Sequence, residues 1–154
     1  MNGDLEARLR RQEDIEQIRR LKVQYFEACD GGFGGIRSHV PEEIASTFAE
    51  DGVWDGGHYG HLRGRAAVAE FYRKVPQMLA FTVLSEPVID IEGDKATGRW
   101  NVLVYSASGP DASQLTGGVH HDQYVRTHEG WKIAHTRFVS AIASRSSVPL
   151  NSAG

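Results

Sequence analysis

Apolar and charged positions alternate along the first thirty residues with the period of an α-helix. Apolar side chains recur at steps of three and four from Leu5 to Cys29, which predicts a single helix over residues 4–30. The apolar stripe passes through either Leu21 or Lys22. We therefore expect this helix to lay one face against the body of the protein.

The two ends of this helix differ in composition. Residues 1–12 are polar and rich in arginine and glutamate, so we expect a helical extension that projects from the body. At the other end, four of the five residues in 31–35 are glycine, which relaxes the backbone and stops the helix.

Proline and glycine mark the next elements. A short helix is predicted to begin near Pro41, because proline suits the first helical turn. Asp51-Gly52 reads as a turn before a strand that begins at Val53. A third helix is predicted over Arg65–Val75, and Pro76 ends it.

The rest of the chain, from Leu79 to about Ile142, has the apolar and β-branched content of strands. Turns are predicted at residues 92–94, 108–111 and 128–130, which gives a long antiparallel meander. Three helices followed by such a sheet predict an α+β fold, with the sheet curving around a core and the first helix as its lid. We expect one domain over residues 1–143 and a flexible polar tail over 144–154.

Composition and charge limit the classes of function that the chain could have. With 154 residues and a net charge of −3, the chain is one domain without a basic surface for nucleic acid. Its densest basic stretch, from Arg8 to Lys22, is interleaved with acidic residues and reads as a solvated helix face. The single cysteine excludes an intramolecular disulfide, and no apolar run suggests a signal peptide or a membrane span. We expect a cytoplasmic protein.

Several local motifs resemble those of one known family. They are Tyr25–Asp30, Phe48–Trp54, Gly64–Val68, Ile91–Ala96, His121–Arg126 and Gly130–Ile133. Their order and spacing resemble the SnoaL-like branch of the nuclear-transport-factor-2-like superfamily, over roughly residues 5–142. Within that branch the chain looks most like the cofactorless lyases related to scytalone dehydratase, bile acid 7α-dehydratase and hexachlorocyclohexane dehydrochlorinase.

This resemblance implies a cone-shaped, strongly curved antiparallel sheet of the cystatin-like kind, catalysis without metal or organic cofactor, and a homodimer or higher homo-oligomer. It also assigns residues. Asp30 matches an aspartate that orients a histidine base, and Tyr25 matches a residue that acts on the leaving group. Several relatives carry the base at the position that is Thr82 in this chain. Either the aspartate–histidine pair is absent from this chain or another histidine replaces the base, for which His120 is the candidate.

Alternation along a strand places His120, Asp122 and Tyr124 on one face of the predicted sheet. We expect an Asp30–His120 hydrogen bond, because a carboxylate fixes the imidazole tautomer and stabilises the imidazolium that forms on proton abstraction. Asp122 is a second acid–base candidate. Arg137 is a candidate for stabilising an anion. Strict alternation groups it with Trp131, Ile133 and His135, and one bulge would reverse its facing.

Aromatic and apolar residues near these groups are candidates for contact with a ligand. They are Phe33, Trp54, His58, Phe71, Met78, Phe81, Thr82 and Trp100. His58 and His61 lie in a glycine-rich segment, but no helical His pair or Cys pair accompanies them, so we expect no metal site.

These residues support the hypothesis of a cofactor-independent lyase acting on a small hydrophobic, hydroxylated and aromatic molecule. Two alternatives stay open: an isomerase or polyketide-type cyclase that uses the same base, and a non-catalytic module that binds a small molecule.

Overall fold

The computed structural model describes residues 2–32, 39–76, 79–109 and 112–146. Three helices precede most of the sheet, as the glycine and proline positions predicted. Helix α1 spans Asn2–Asp30, α2 spans Pro41–Ser46 and α3 spans Arg65–Lys74. No helix in these ranges is both long enough and apolar enough to cross a membrane.

Seven strands form one curved, unclosed sheet, which confirms the predicted α+β class. The strands are β1 (Phe48–Asp55), β2 (His61–Arg63), β3 (Leu79–Leu84), β4 (Val88–Glu92), β5 (Lys95–Gly109), β6 (Ala112–Thr127) and β7 (Gly130–Ser146). A single 3-10 turn, Gly57–Tyr59, joins β1 to β2. The order across the sheet is β2-β1-β7-β6-β5-β3, and β4 also pairs with β5.

One strand pair departs from the antiparallel sheet that the family resemblance implied: β1 runs parallel to β7. The two strands come from distant parts of the chain, so no hairpin dictates their relative direction. The predicted meander covered only residues 79–142, and the pattern of apolar residues carries no information on how β1 would pair.

The predicted turn at Asp51-Gly52 is wrong, because both residues lie inside β1. The register between β1 and β7 shifts between Phe48 and Val53, which marks an irregularity in place of a turn. A Cβ atom on Gly52 would lie 2.8 Å from the Ile133 carbonyl oxygen. The glycine therefore permits the close approach of two strands.

The end of the sheet also differs from expectation. Strand β7 continues to Ser146, so residues 144–146 belong to the sheet and not to the tail that was predicted to begin at 144. Pairing with β6 accounts for this, since Ser144 lies opposite Leu115.

Helix α1 lies against the inner face of the sheet through its second half. Ile18, Tyr25 and Phe26 are buried in the main core together with Trp100 and Ile133. The first residues of the helix contribute little to this core: Leu5 and Leu9 are 56% and 55% exposed.

A partly buried ionic contact fixes the middle of α1 to the sheet. The Arg126 guanidinium donates two hydrogen bonds of 2.8 Å to the Asp14 carboxylate, and the Trp131 indole donates a third of 2.9 Å. The hydrogen bonds from Arg126 lower the pKa of Asp14, which keeps this carboxylate ionised. The helix therefore enters the core at a defined rotation and presents Lys22 inward.

Substitution of Gly118 with alanine tests the close packing of β6 on β7. The added Cβ would lie 2.3 Å from the Val139 carbonyl oxygen and 2.7 Å from the Phe138 ring. We expect Gly118→Ala to lower the free energy of unfolding by about 1–3 kcal/mol in urea denaturation. Gly3→Ala, where nothing lies within 4 Å of the added carbon, is the control and should not be destabilised.

Candidate functional site

A lysine on α1 occupies the centre of the inner face. The Lys22 side chain has no exposed surface, which corrects the prediction that it belongs to a solvated helix face. Its Nζ lies 2.7 Å from Asp122 Oδ2, 3.2 Å from His120 Nδ1 and 3.5 Å from Thr136 Oγ1. Strands β6 and β7 supply these three partners, so the helix and the sheet meet in a buried ion pair.

The Asp122 carboxylate is held on both oxygens. Thr136 donates its hydroxyl proton to Oδ1 over 2.6 Å, and Tyr124 donates to Oδ2 over 2.6 Å. Trp100 in turn donates to the Tyr124 hydroxyl over 3.0 Å. We call Lys22, His120, Asp122, Tyr124 and Thr136 the polar cluster.

Burial and charge shift the pKa values in the polar cluster. Burial lowers the pKa of Lys22, and the Asp122 carboxylate opposes that shift. Burial, followed by the Lys22 charge, holds the pKa of His120 well below 6.5. The imidazole is therefore neutral at neutral pH. Burial also raises the pKa of Tyr124 well above 10, so its hydroxyl keeps its proton.

Aromatic rings surround His120 on the inner face. Its ring centroid lies 5.2 Å from that of Phe26, 5.1 Å from that of Phe138 and 6.3 Å from that of Tyr25. The His120 side chain keeps 9% of its surface exposed, whereas the Lys22 and Asp122 side chains keep none. A ligand on the inner face would therefore reach His120 before it reached the ion pair.

Asp30 lies at the end of α1, but its partner is not the predicted one. Its two carboxylate oxygens accept 2.8 Å hydrogen bonds from the backbone N–H and the hydroxyl of Thr82. Within the described residues no hydrogen bond joins Asp30 to His120. Burial raises the pKa of Asp30, and the hydrogen bonds from Thr82 oppose that shift.

Strand register explains why the expected Asp30–His120 contact does not form. Thr82 lies opposite Val104, and Val104 lies opposite Thr116. His120 is four residues further along β6, roughly 13 Å along the strand and two strand spacings of about 4.8 Å across. Asp30 therefore finds Thr82, at the position where several relatives carry the histidine base.

Tyr25, the other site residue predicted on α1, is one of the aromatic residues around His120. Its hydroxyl accepts a 3.0 Å hydrogen bond from the Trp54 indole. Burial raises the pKa of Tyr25 well above 10, so the hydroxyl is protonated at neutral pH. Phe71 packs against Trp54 with ring centroids 5.2 Å apart.

Three other predicted site residues lie away from the polar cluster. Arg137 pairs in register with His121, on the opposite face from Asp122 and Thr136, and is 62% exposed. Phe81 is 51% exposed and alternates with Thr82 along β3, so it points away from Asp30. His58 is exposed in the 3-10 turn. Phe33 and Met78 lie outside the described residues.

Lys22 is the principal residue of the site that was not among the predicted site residues, although it was one of two alternatives for the apolar stripe. It lies four residues after Ile18 and four before Phe26, both buried, so it occupies a position where the helical stripe requires an inward side chain. Its placement in a charged stretch concealed this signal. A lysine at a core position is rarely retained without a buried partner, and Asp122 is that partner.

Across the described ranges, no group of three or more His, Cys, Asp or Glu side chains could hold a metal ion. The groups of the inner face that can hold or move a proton include the His120 imidazole, the Asp30 and Asp122 carboxylates and the Lys22 ammonium.

Comparison with known proteins agrees with this architecture. Residues 10–137 match the model of the SnoaL-like domain. A search of curated proteins finds no significant match. Three similar solved structures are each less than 25% identical to this chain, so they show the fold alone.

An NTF2-like protein with a cystatin-like fold from Novosphingobium aromaticivorans is 24% identical, with 98% of this chain and 91% of that chain covered and a TM-score of 0.65. A protein provisionally named a scytalone dehydratase, from the same organism, is 18% identical, with 97% and 99% covered and a TM-score of 0.69. Hexachlorocyclohexane dehydrochlorinase LinA-type3 from Novosphingobium barchaimii is 18% identical, with 95% and 94% covered and a TM-score of 0.68.

The depressed pKa of His120 makes a prediction about stability. Below pH 6.5 His120 is protonated in the unfolded chain, whereas it stays neutral in the folded protein because its pKa is lowered. The unfolded state therefore binds more protons, and the free energy of unfolding decreases as the pH decreases. From pH 7.5 to pH 5.5 we expect His120 to remove on the order of 1 kcal/mol from the free energy of unfolding. Urea denaturation at both pH values measures this loss.

His120→Gln should lose less stability than the wild type over the same pH interval, by that amount. His121→Gln controls for the removal of one histidine, because His121 is exposed on the other face. Equal losses in the wild type and His120→Gln would contradict a neutral buried imidazole.

Proposed function

Because the chain belongs to the SnoaL-like domain family, we propose that it is a cofactor-independent lyase. Its substrate would be a small, hydrophobic, hydroxylated compound with an aromatic part. One observation carries this proposal: Lys22, in a buried ion pair with Asp122, contacts Nδ1 of His120, whose side chain keeps 9% of its surface exposed while those of Lys22 and Asp122 keep none. A buried ion pair is a poor source of stability compared with apolar packing, so its presence here favours a functional role.

His120 would meet an oxygen atom of the substrate. The hydrogen bonds of its ring within the described residues all involve Nδ1, which leaves Nε2 for the ligand. The surrounding rings of Tyr25, Phe26 and Phe138 exclude water and strengthen a hydrogen bond made there. The same rings would form the walls that an aromatic substrate contacts.

Asp30 would be the base. Both of its oxygens accept hydrogen bonds, as an ionised carboxylate does, and burial raises its pKa toward the range useful for proton transfer. It lies two helical turns after Lys22, about 12 Å along the axis, with Phe26 between them. A substrate the size of one or two rings would span the interval from His120 to Asp30.

The reaction would then be an elimination of water. The Asp30 carboxylate removes a proton from carbon, the electrons of that C–H bond form a double bond, and the C–O bond of the neighbouring hydroxyl breaks. Asp30 returns the proton to the departing hydroxide, so water leaves and the protein is unchanged. His120 stabilises charge on a substrate oxygen while the C–H bond breaks.

Turnover of scytalone, an aromatic and hydroxylated compound, tests this proposal through the loss of water. We expect elimination of water, and a loss of at least about 100-fold in turnover for both Asp30→Asn and His120→Gln. The melting temperature of each variant is measured in parallel to separate a loss of chemistry from a loss of folding.

Two matched controls use the outer face of the sheet. His121→Gln and Asp90→Asn replace a neighbouring histidine and an exposed carboxylate, and both variants should keep wild-type turnover. Full activity in Asp30→Asn or His120→Gln would remove that residue from the mechanism.

A binding module without catalysis is the second candidate. The observation that favours it is the Thr82 contact, because both Asp30 oxygens are already engaged by hydrogen bonds. Quenching of the buried Trp54 and Trp100 fluorescence by a probe that is never converted would support binding alone. Recovery of an isomer of the probe, with no water released, would indicate that the base returns the proton to another carbon.

A further inference from the structure

We infer that the ammonium group of Lys22 fixes the proton of His120 on Nε2, so that the histidine offers a hydrogen-bond donor to the ligand. Lys22 is then a positioning residue that acts through His120. The role of this tautomer in catalysis rests on the proposed function. The tautomer itself is a property of the protein without substrate and can be measured there.

The donors of Lys22 match the acceptors around it. An ammonium carries three N–H donors and no acceptor. Its neighbours are the Asp122 carboxylate at 2.7 Å, His120 Nδ1 at 3.2 Å and Thr136 Oγ1 at 3.5 Å. The ring faces of Tyr25 and Phe26, with centroids 4.9 and 5.2 Å from Nζ, complete a site suited to a cation.

The hydroxyl of Thr136 has one proton, and the geometry assigns it to Asp122. The Oγ1–Oδ1 distance is 2.6 Å, as expected for a hydroxyl that donates to a carboxylate. That proton is therefore not available to His120 Nδ1, which lies 3.0 Å from Oγ1. Nδ1 must either accept a hydrogen bond from Lys22 or donate one to Thr136.

The charge of Lys22 decides between these two arrangements. A proton on Nδ1 would gain a neutral hydrogen bond to Thr136 and would point its positive end toward a buried ammonium 3.2 Å away. A lone pair on Nδ1 gains a charge-assisted hydrogen bond and places two neutral acceptors near each other. Interactions with a full charge exceed those between neutral dipoles in a desolvated site, so the second arrangement prevails.

This assignment specifies the chemistry of the ligand. With its proton on Nε2, His120 cannot act as a base at that atom, and it can donate to an oxygen that bears negative charge. A neutral imidazole is suited to polarise a carbonyl group in this way. The substrate should therefore place a carbonyl or phenolate oxygen against His120, and proton removal falls to another group.

The tautomer of His120 is measured directly by ¹⁵N NMR of the imidazole nitrogens in the substrate-free protein. We expect the wild type to carry its proton on Nε2. Lys22→Met keeps the chain length and removes the ammonium, and it should move the proton to Nδ1, where Thr136 accepts it. A ¹⁵N–¹⁵N coupling across the hydrogen bond from Lys22 Nζ to His120 Nδ1 tests the same contact without any variant.

Two further variants isolate the role of the charge. Thr136→Val removes the competing acceptor and leaves Lys22 in place, so the proton of His120 should stay on Nε2. Arg20→Met removes an exposed cation from the same helix and should not change the tautomer. A proton on Nδ1 in the wild type, or on Nε2 in a folded Lys22→Met, overturns the inference.

Failure of this inference is distinguishable from failure of the proposed function. A wild-type proton on Nδ1 together with loss of turnover in His120→Gln would keep the lyase and make His120 a base. A proton on Nε2 that depends on Lys22, in a protein that converts no probe, would keep the inference and reject the lyase.

Discussion

The ion pair between Lys22 and Asp122 is the constraint on which the inner face depends. Removing two charges from water is unfavourable, and the structure offsets this by giving each charge a complete set of partners. Because those partners come from α1, β6 and β7, the pair fixes the helix on the sheet and also fixes His120 between them. Packing and candidate chemistry therefore share the same contacts.

The sequence predicted the helices well, because glycine and proline mark their ends. Helix α3 was expected over residues 65–75 and spans Arg65–Lys74. Alternation also placed His120, Asp122 and Tyr124 on one face, and all three are buried on the inner face. Helix ends and strand alternation depend only on residues that are close in sequence, so they can be predicted without knowing the fold.

The rest of the site depends on relations between distant strands. The partner of Asp30 follows from the register of β3, β5 and β6, which no local pattern encodes. Arg137 was ambiguous for the same reason: a register shift near Tyr124 determines which face of β7 carries Thr136. Lys22 differs, since its position in the helical stripe was visible and its charge led to the opposite interpretation.

The parallel pairing of β1 with β7 has a consequence for biosynthesis. Strand β7 inserts between β1 and β6, and it supplies Thr136 and Phe138 to the inner face. A nascent chain that has not yet reached residue 130 lacks the central strand that joins its early and late segments. Contacts between residues that are distant in sequence slow folding. The emerging polypeptide therefore cannot complete the centre of its sheet until β7 has been synthesised.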